Sequence, residues 1–272
     1  MRRASPALLL GLLCLALVLA MALLGPVLYP VDPWASGPMP FAPPLSEGAP
    51  LGTDLLGRDI LAGVLQGARV SLLVGAVAAA GAVLLGGVVG LLAGFFRGAV
   101  DTVLTGVTEF FQTVPGFILS ILLVSLFRPS LGSIVTAIAL VSWPQVARVV
   151  RTQTLSLRER EFVLAARLSG KPLWKVLLVD LVPHLLPPVL VVASVIVANA
   201  ILTESALSFM GLGDPRLMSW GYMIGAARSV IRFAWWMSVF PGCGILLLVL
   251  GVNLLSDGLA HHLDPRRSVV RA

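Results

Sequence analysis

Six apolar runs dominate this chain, covering residues 7–28, 70–96, 100–127, 131–150, 183–207 and 234–256. Each is long enough for a helix rising about 1.5 Å per residue to cross a hydrocarbon layer of about 30 Å. The pattern predicts an all-α integral membrane protein of about six transmembrane helices. It divides the chain into three parts: 1–69, a first helix with an outer segment; 70–256, a five-helix core; and 257–272, a tail. The outer segment is Pro/Gly-rich over 29–52 and then reads G-T-D-L-L-G-R-D-I-L-A-G-V-L-Q-G-A-R.

One polar interruption stands out, the loop 151–182. Its centre, Arg158 to Lys175, carries Arg158, Arg160, Arg167, Lys171 and Lys175, with Arg148 and Arg151 just upstream. Read as a helix over 158–169, it places Phe162, Ala165, Ala166 and Ser169 on one compact face, with Arg160 and Arg167 away from it. Gly170 supplies a helix stop and Pro172 prevents simple continuation. A second short helix, Leu173 to Leu181, leads back to the membrane. The pattern fits a protrusion that docks into a groove on another protein. It fits equally an amphipathic element lying on lipid headgroups.

Composition agrees with a membrane protein. Of the 272 residues 58% are hydrophobic and 12% charged, against about 25% charged in soluble domains. The net charge of +6 does not indicate nucleic acid, because the basic residues are spread between apolar runs. They also orient the chain. With the N-terminus inside, 13 of the 19 Lys and Arg residues fall on the inner side and 6 on the outer. Both termini and the 151–182 loop are therefore expected in the cytoplasm. Arg2, Arg3 and Ala20-Met21-Ala22 have features of a secretory signal. The apolar run continues to Leu28, so an uncleaved first span is expected. Cys14 and Cys243 lie in apolar runs and read as packing thiols.

Other candidates are scattered. Gly86, Gly90 and Gly94 recur every four residues, which suits close helix approach within the chain or with another subunit. Pro115-Gly116 and Pro187-Pro188 predict kinks. Asp54, Arg58 and Asp59 suit caps or an ion pair better than a metal site. Glu109 and Glu204 are acids inside or at the edge of spans, where they must pair or face water. They are the candidates for lining a path; an interhelical hydrogen bond is the alternative. His184 suits a polar interfacial role, and His261 and His262 a solvated tail. Trp143, Trp220, Trp235 and Trp236 suit interfacial anchors.

Several segments then carry a resemblance: E-F-V-L-A-A-R-L-S-G (161–170) with L-V-P-H-L-L-P-P (181–188), L-G-T-D-L-L-G-R-D (51–59), G-A-R-V-S-L-L-V-G (67–75), S-W-P-Q-V-A-R-V-V-R (142–151), E-S-A-L-S-F-M-G-L-G (204–213), S-W-G (219–221), N-L-L-S-D-G-L (253–259) and L-D-P-R (263–266). Together they resemble the permeases of binding-protein-dependent ATP-binding-cassette importers, specifically the second permease of the dipeptide, oligopeptide and nickel branch. The family's Glu-Ala-Ala signature with its later Gly falls on Ala165, Ala166 and Gly170. Its acid is replaced by Leu164, leaving Glu161 one turn earlier as the polar candidate. The loop between Gly213 and Ser219 is also a residue shorter than is usual there.

The resemblance implies a transport subunit of the bacterial inner membrane with no covalent chemistry of its own. Arg160, Glu161, Phe162, Ala165, Ala166, Arg167 and Gly170 would form the coupling loop. The implied partners are a second homologous permease in a heterodimer, two ATPase subunits that use ATP and Mg, a periplasmic or lipid-anchored solute-binding protein, and membrane lipids. No cofactor is expected on this chain. Gly170-Lys171 is followed by Pro172 rather than Ser or Thr, so it is not a phosphate-binding loop. Peptide is the expected solute, with nickel or a metal chelate as the alternative. An ion-coupled carrier is disfavoured by the few intramembrane acids and the lack of a repeat. An intramembrane hydrolase is disfavoured because His184 has no evident partner.

Overall fold

The computed structural model describes the backbone of residues 6–263 and the side chains of residues 6–258. Its helices are α1 (Pro6–Leu28), α2 (Ile60–Phe96), α3 (Gly98–Thr113), α4 (Gly116–Phe127), α5 (Leu131–Leu157), α6 (Glu161–Leu168), α7 (Leu173–Lys175), α8 (Val182–Phe209), α9 (Trp220–Ala227) and α10 (Trp236–Leu263). A π-helical stretch, Val176–Leu181, joins α7 to α8. Five continuous helical segments are long and apolar enough to cross a membrane, and α3 with α4 makes a sixth if counted as one broken span. The expected all-α membrane architecture is therefore what the chain adopts.

Four features differ from the sequence pattern; one is that α5 runs to Leu157, seven residues past 150 and into the expected 151–182 loop. The second span starts at Ile60, ten residues before the apolar run, because Asp59 caps it: its Oδ1 accepts from the Ala62 N–H at 2.8 Å. Its Oδ2 accepts from the Tyr29 hydroxyl at 2.8 Å, which ties the end of α1 to the start of α2. Thirty-seven residues make a helix of roughly 55 Å, longer than a bilayer core. The third span is more than kinked: α3 and α4 meet at 86°. Pro115 has no N–H and excludes the α conformation at Val114, which sits extended at φ −92°, ψ 129°. Finally, α10 continues past 256 to Leu263. The limits at 69/70 and 256/257 thus fall inside helices. The side chains of His261 and His262, and the chain before 6 and after 263, lie outside the described residues.

The glycines of α2 are used within the chain. A methyl group on Gly86 would lie 2.4 Å from the Trp143 carbonyl oxygen, one on Gly90 2.4 Å from that of Ala147, and one on Gly94 2.7 Å from that of Arg151. Both series advance by four, so α2 and α5 run parallel with backbones in contact. Small residues permit this approach where lipid supplies no hydrophobic drive between helices. By contrast α1 and α10 are antiparallel, with Leu8 against Gly258 and Cys14 against Gly251. These directions bring the start of α1, the ends of α2, α5 and α10, and α6 to one end of the bundle. The 29–59 segment lies at the opposite end.

Three of the four tryptophans expected at interfaces are instead core. Trp220 is fully buried, its Nε1 donates to the Val64 carbonyl at 2.9 Å, and its ring fills the space left by Gly67 and Gly244. Trp236 donates to the Thr53 carbonyl at 3.1 Å, and Trp143 packs edge-on against Phe111. Trp235 is exposed. Cys14 is buried and Cys243 exposed, both as free thiols.

Candidate functional site

The polar loop folds as a short helix on a specific support. Val163 points inward and packs with Phe95, Val176 and Leu181. Ala166 packs against the same cluster, and Phe162 stacks on the His184 ring at 5.0 Å. The outward face is therefore Glu161, Leu164, Ala165 and Leu168, at i, i+3, i+4 and i+7. Leu168 is 89% exposed and Leu164 44%. Of the small residues singled out in the sequence, Ala165 faces out and Ala166 faces in. Leu164, at the position of the family's acid, lies on the outward face. Arg160 and Arg167 are exposed as well.

Gly170 ends α6 at φ +73°. Its N–H donates to the Arg167 carbonyl, and the Lys171 N–H to the Ala166 carbonyl, both at 3.2 Å. This is a Schellman closure, which satisfies the last carbonyls with a residue in the left-handed region. Lys171 then reaches both Asp180 oxygens at 2.7 Å. The loop is thereby pinned to the π-helical stretch, which replaces most of the expected second helix. That stretch continues into α8 without a break.

Phe95, one residue from the end of α2, joins this helix to the bundle. Its carbonyl accepts from Arg158 Nη1 at 2.6 Å, its side chain packs with Val163, and the Arg167 guanidinium lies 5.7 Å from its ring centroid. Arg151 pairs with Asp101, Nη2 to Oδ2 at 2.7 Å, linking α5 to α3 at the same end. Displacing α6 must therefore load α2 and α5 together.

At the opposite half, Glu204 is buried at 3% exposure between α8 and α9. Its Oε1 accepts from Ser208 at 2.8 Å and from Ser219 at 2.7 Å. Ser219 also caps α9 by accepting from the Tyr222 N–H. Gly221 allows the approach, since a methyl group there would lie 2.6 Å from Ser205 Cα. Two motifs separated in sequence, 204–213 and 219–221, thus meet at one carboxylate.

The short loop that follows is anchored by Asp214. Its carboxylate accepts two bonds from the Arg216 guanidinium, each at 3.0 Å, one from the Arg216 N–H at 3.0 Å and one from the Leu131 N–H at 3.1 Å. The Arg216 contact, with these backbone donors, holds its pKa down at about 2.

Two cavities open along α5. One, about 220 Å³, lies between α2, α3 and α5 and is lined by Thr105, Thr108, Glu109, Arg148 and Arg151. Glu109 is thus in a charged recess, whereas Glu204 lines neither cavity. The second, about 340 Å³, is an open recess bordered by α4, α5 and α8 with the end of α3. Its polar lining is Gln112, Ser120, Ser142, Gln145, Asn199 and Thr203. Arg148 hydrogen-bonds to Gln112, so the recesses adjoin. These neutral residues carry no charge to mark them within the apolar runs. The available signal was Ser142/Gln145 and Asn199/Thr203 at i, i+3 and i, i+4 inside apolar runs.

The chain is thus a multi-span helical bundle of the membrane, with a supported amphipathic helix between two of its spans. Residues 86–269 match the family model described as the inner membrane component of binding-protein-dependent transport systems, and the chain belongs to that family. It is 39% identical over 216 residues to the dipeptide transport system permease protein of Alkalihalophilus pseudofirmus, covering 79% of this chain and 71% of that one. It is 36% identical over 263 residues to the di/tripeptide transport system permease protein of Pseudomonas aeruginosa, covering 94% and 87%. It is also 36% identical over 217 residues to the glutathione transport system permease protein of Pectobacterium atrosepticum, covering 79% and 72%.

Proposed function

We propose that this chain is one of two permease subunits forming the pore of an ATP-driven importer that carries short peptides across the bacterial inner membrane. The relatives named for dipeptide, di/tripeptide and glutathione transport support the solute class. The end bearing α6 faces the cytoplasm, where most of the basic residues gather. Glu161, Leu164, Ala165 and Leu168 dock into a groove on an ATPase subunit, with Arg160, Arg167, Phe162, Ala166 and Gly170 shaping and supporting that face. ATP and Mg are used by two such subunits. The opposite end, with the 29–59 segment and the Asp214 loop, receives the solute-binding protein.

The observation that carries this reading is α6 itself. It is an eight-residue helix, too short to span, held by Phe95 and showing an outward face of Leu164, Ala165 and Leu168 with one acid, Glu161. Closure of the ATPases on nucleotide moves α6, and the Phe95 contacts pass that displacement to α2 and α5. A bias of a few kcal/mol between two packings is enough to shift such an equilibrium. Purification of a tagged copy from its native membrane should bring down a second permease and two ATPase subunits. Proteoliposomes holding that assembly should take up peptide only with ATP and the binding protein. Uptake driven by an ion gradient without ATP would overturn the reading.

A further inference from the structure

The neutral cavity between α4, α5 and α8 is the part of the molecule that this function has not yet used. Gln145 is at the middle of α5 and Asn199 lies within α8, and both are exposed on the isolated subunit. Neither side chain forms a hydrogen bond within the protein among the described residues. An unpaired amide facing hydrocarbon at that depth is costly, so both must meet water, solute or a polar partner. They line the same recess, together with Ser142, Thr203 and Gln112. Pro144, also in the lining, leaves the carbonyl four residues earlier without its helical donor.

Resting on the peptide-importer reading, we infer that this recess is the subunit's share of the translocation passage, and that it handles peptides through their main chain. Every lining side chain is uncharged. Amides and hydroxyls both donate and accept, so they match the N–H and C=O groups that all peptides share. A fixed charge would trap solutes of one sign and repel the other. A neutral lining leaves discrimination to another component and lets varied sequences pass. The volume of about 340 Å³ falls in the range of small-molecule sites. The charged recess of Glu109, Arg148 and Arg151 adjoins it on the side of α6, through the contact between Arg148 and Gln112.

The test uses the complete importer in proteoliposomes with its binding protein. Uptake is compared for Ala-Lys-Ala, Ala-Ala-Ala and Ala-Glu-Ala. Relative to Ala-Ala-Ala, Asn199→Asp should raise uptake of the Lys peptide and lower that of the Glu peptide, each about fivefold, and Asn199→Lys should do the reverse, the scale of a unit charge pair near 4 Å in hydrated surroundings. Binding-protein-stimulated ATP hydrolysis should persist in both. Ratios unchanged within twofold while hydrolysis persists would overturn the inference. If a charged variant fails to assemble, Asn199→Cys and Gln145→Cys decide, made with Cys14 and Cys243 replaced by Ser. In native membranes both should react with a small charged thiol reagent, whereas Leu190→Cys should not. Absence of labelling at 199 and 145 would equally overturn the inference. A wild-type importer that moves no peptide, while both cysteines label, would instead sink the solute assignment and leave the passage standing.

Discussion

Gly90 faces the Ala147 carbonyl so closely that a methyl group on it would sit 2.4 Å from that oxygen. With Gly86 and Gly94 this welds α2 to α5, the helix that leads into α6. Gly90→Val should separate the two helices and lower stability by about 1–3 kcal/mol. Gly87 faces open space, so Gly87→Ala should be neutral or stabilising by up to about 1 kcal/mol through helix propensity. Thermal unfolding of the detergent-solubilised protein distinguishes them, and equal destabilisation would contradict the close-packed seam.

Gly170→Pro imposes a φ near −65° where the chain needs +73°, and removes the N–H that bonds Arg167. Ala165→Asp puts a charge on the outward face of α6. Each should abolish peptide uptake and ATPase association while leaving membrane insertion intact. Normal uptake by both would rule out docking through this helix.

Phe95→Ala removes the side chain against which Val163 packs and over which Arg167 lies. It should reduce uptake by about tenfold or more, and the cavity left should also lower stability by about 3–5 kcal/mol. ATP hydrolysis by the assembled complex should continue, because the docking face is unchanged. Parallel assays of uptake and hydrolysis measure this loss of coupling.

Glu204→Ala leaves the Ser208 and Ser219 hydroxyls without their acceptor in a buried site. A cost of about 2–4 kcal/mol is expected from the lost bonds and the cavity. Lower yield and a lower melting temperature, with the short helix α9 most exposed to hydrogen exchange, would be the signature.

Asp214 supplies a pH test outside the spans. Its folded pKa of about 2 lies below the ordinary value of 3.8. Its ionised form therefore stabilises the fold at pH values above about 4, and this contribution is lost as pH falls through about 2. Protection of the Leu131 and Arg216 amides should decline over that window in wild type. In Asp214→Asn it should be lower at neutral pH and show no such dependence.

Much of this was legible in one dimension. A helix in lipid must satisfy its backbone internally and show apolar side chains outward, so spans appear as long apolar runs. Gly170 announced a left-handed stop, and the loop 151–182 stood out by its charge. The start of α2 was hidden because Asp59 caps a stretch containing Gln66 and Arg69. The right-angle break at Pro115 was hidden because proline marks a discontinuity without giving its angle.

Partnership was not legible. Glycines spaced by four suit any close neighbour, and only the fold chose α5. Glu204 looked like a path residue, yet Ser208 and Ser219 surround it once α9 packs on α8. Gln145 and Asn199 are 54 residues apart in the sequence, and only packing brings them to one recess. By itself the sequence determined the spans, the family and the loop that interrupts them, because those follow from local hydropathy and chain stiffness. The tertiary structure alone decided that Val163 and Ala166 turn inward and Leu164 and Ala165 outward. The direction a helix faces depends on what it packs against, and Phe95 lies more than 60 residues away in the chain.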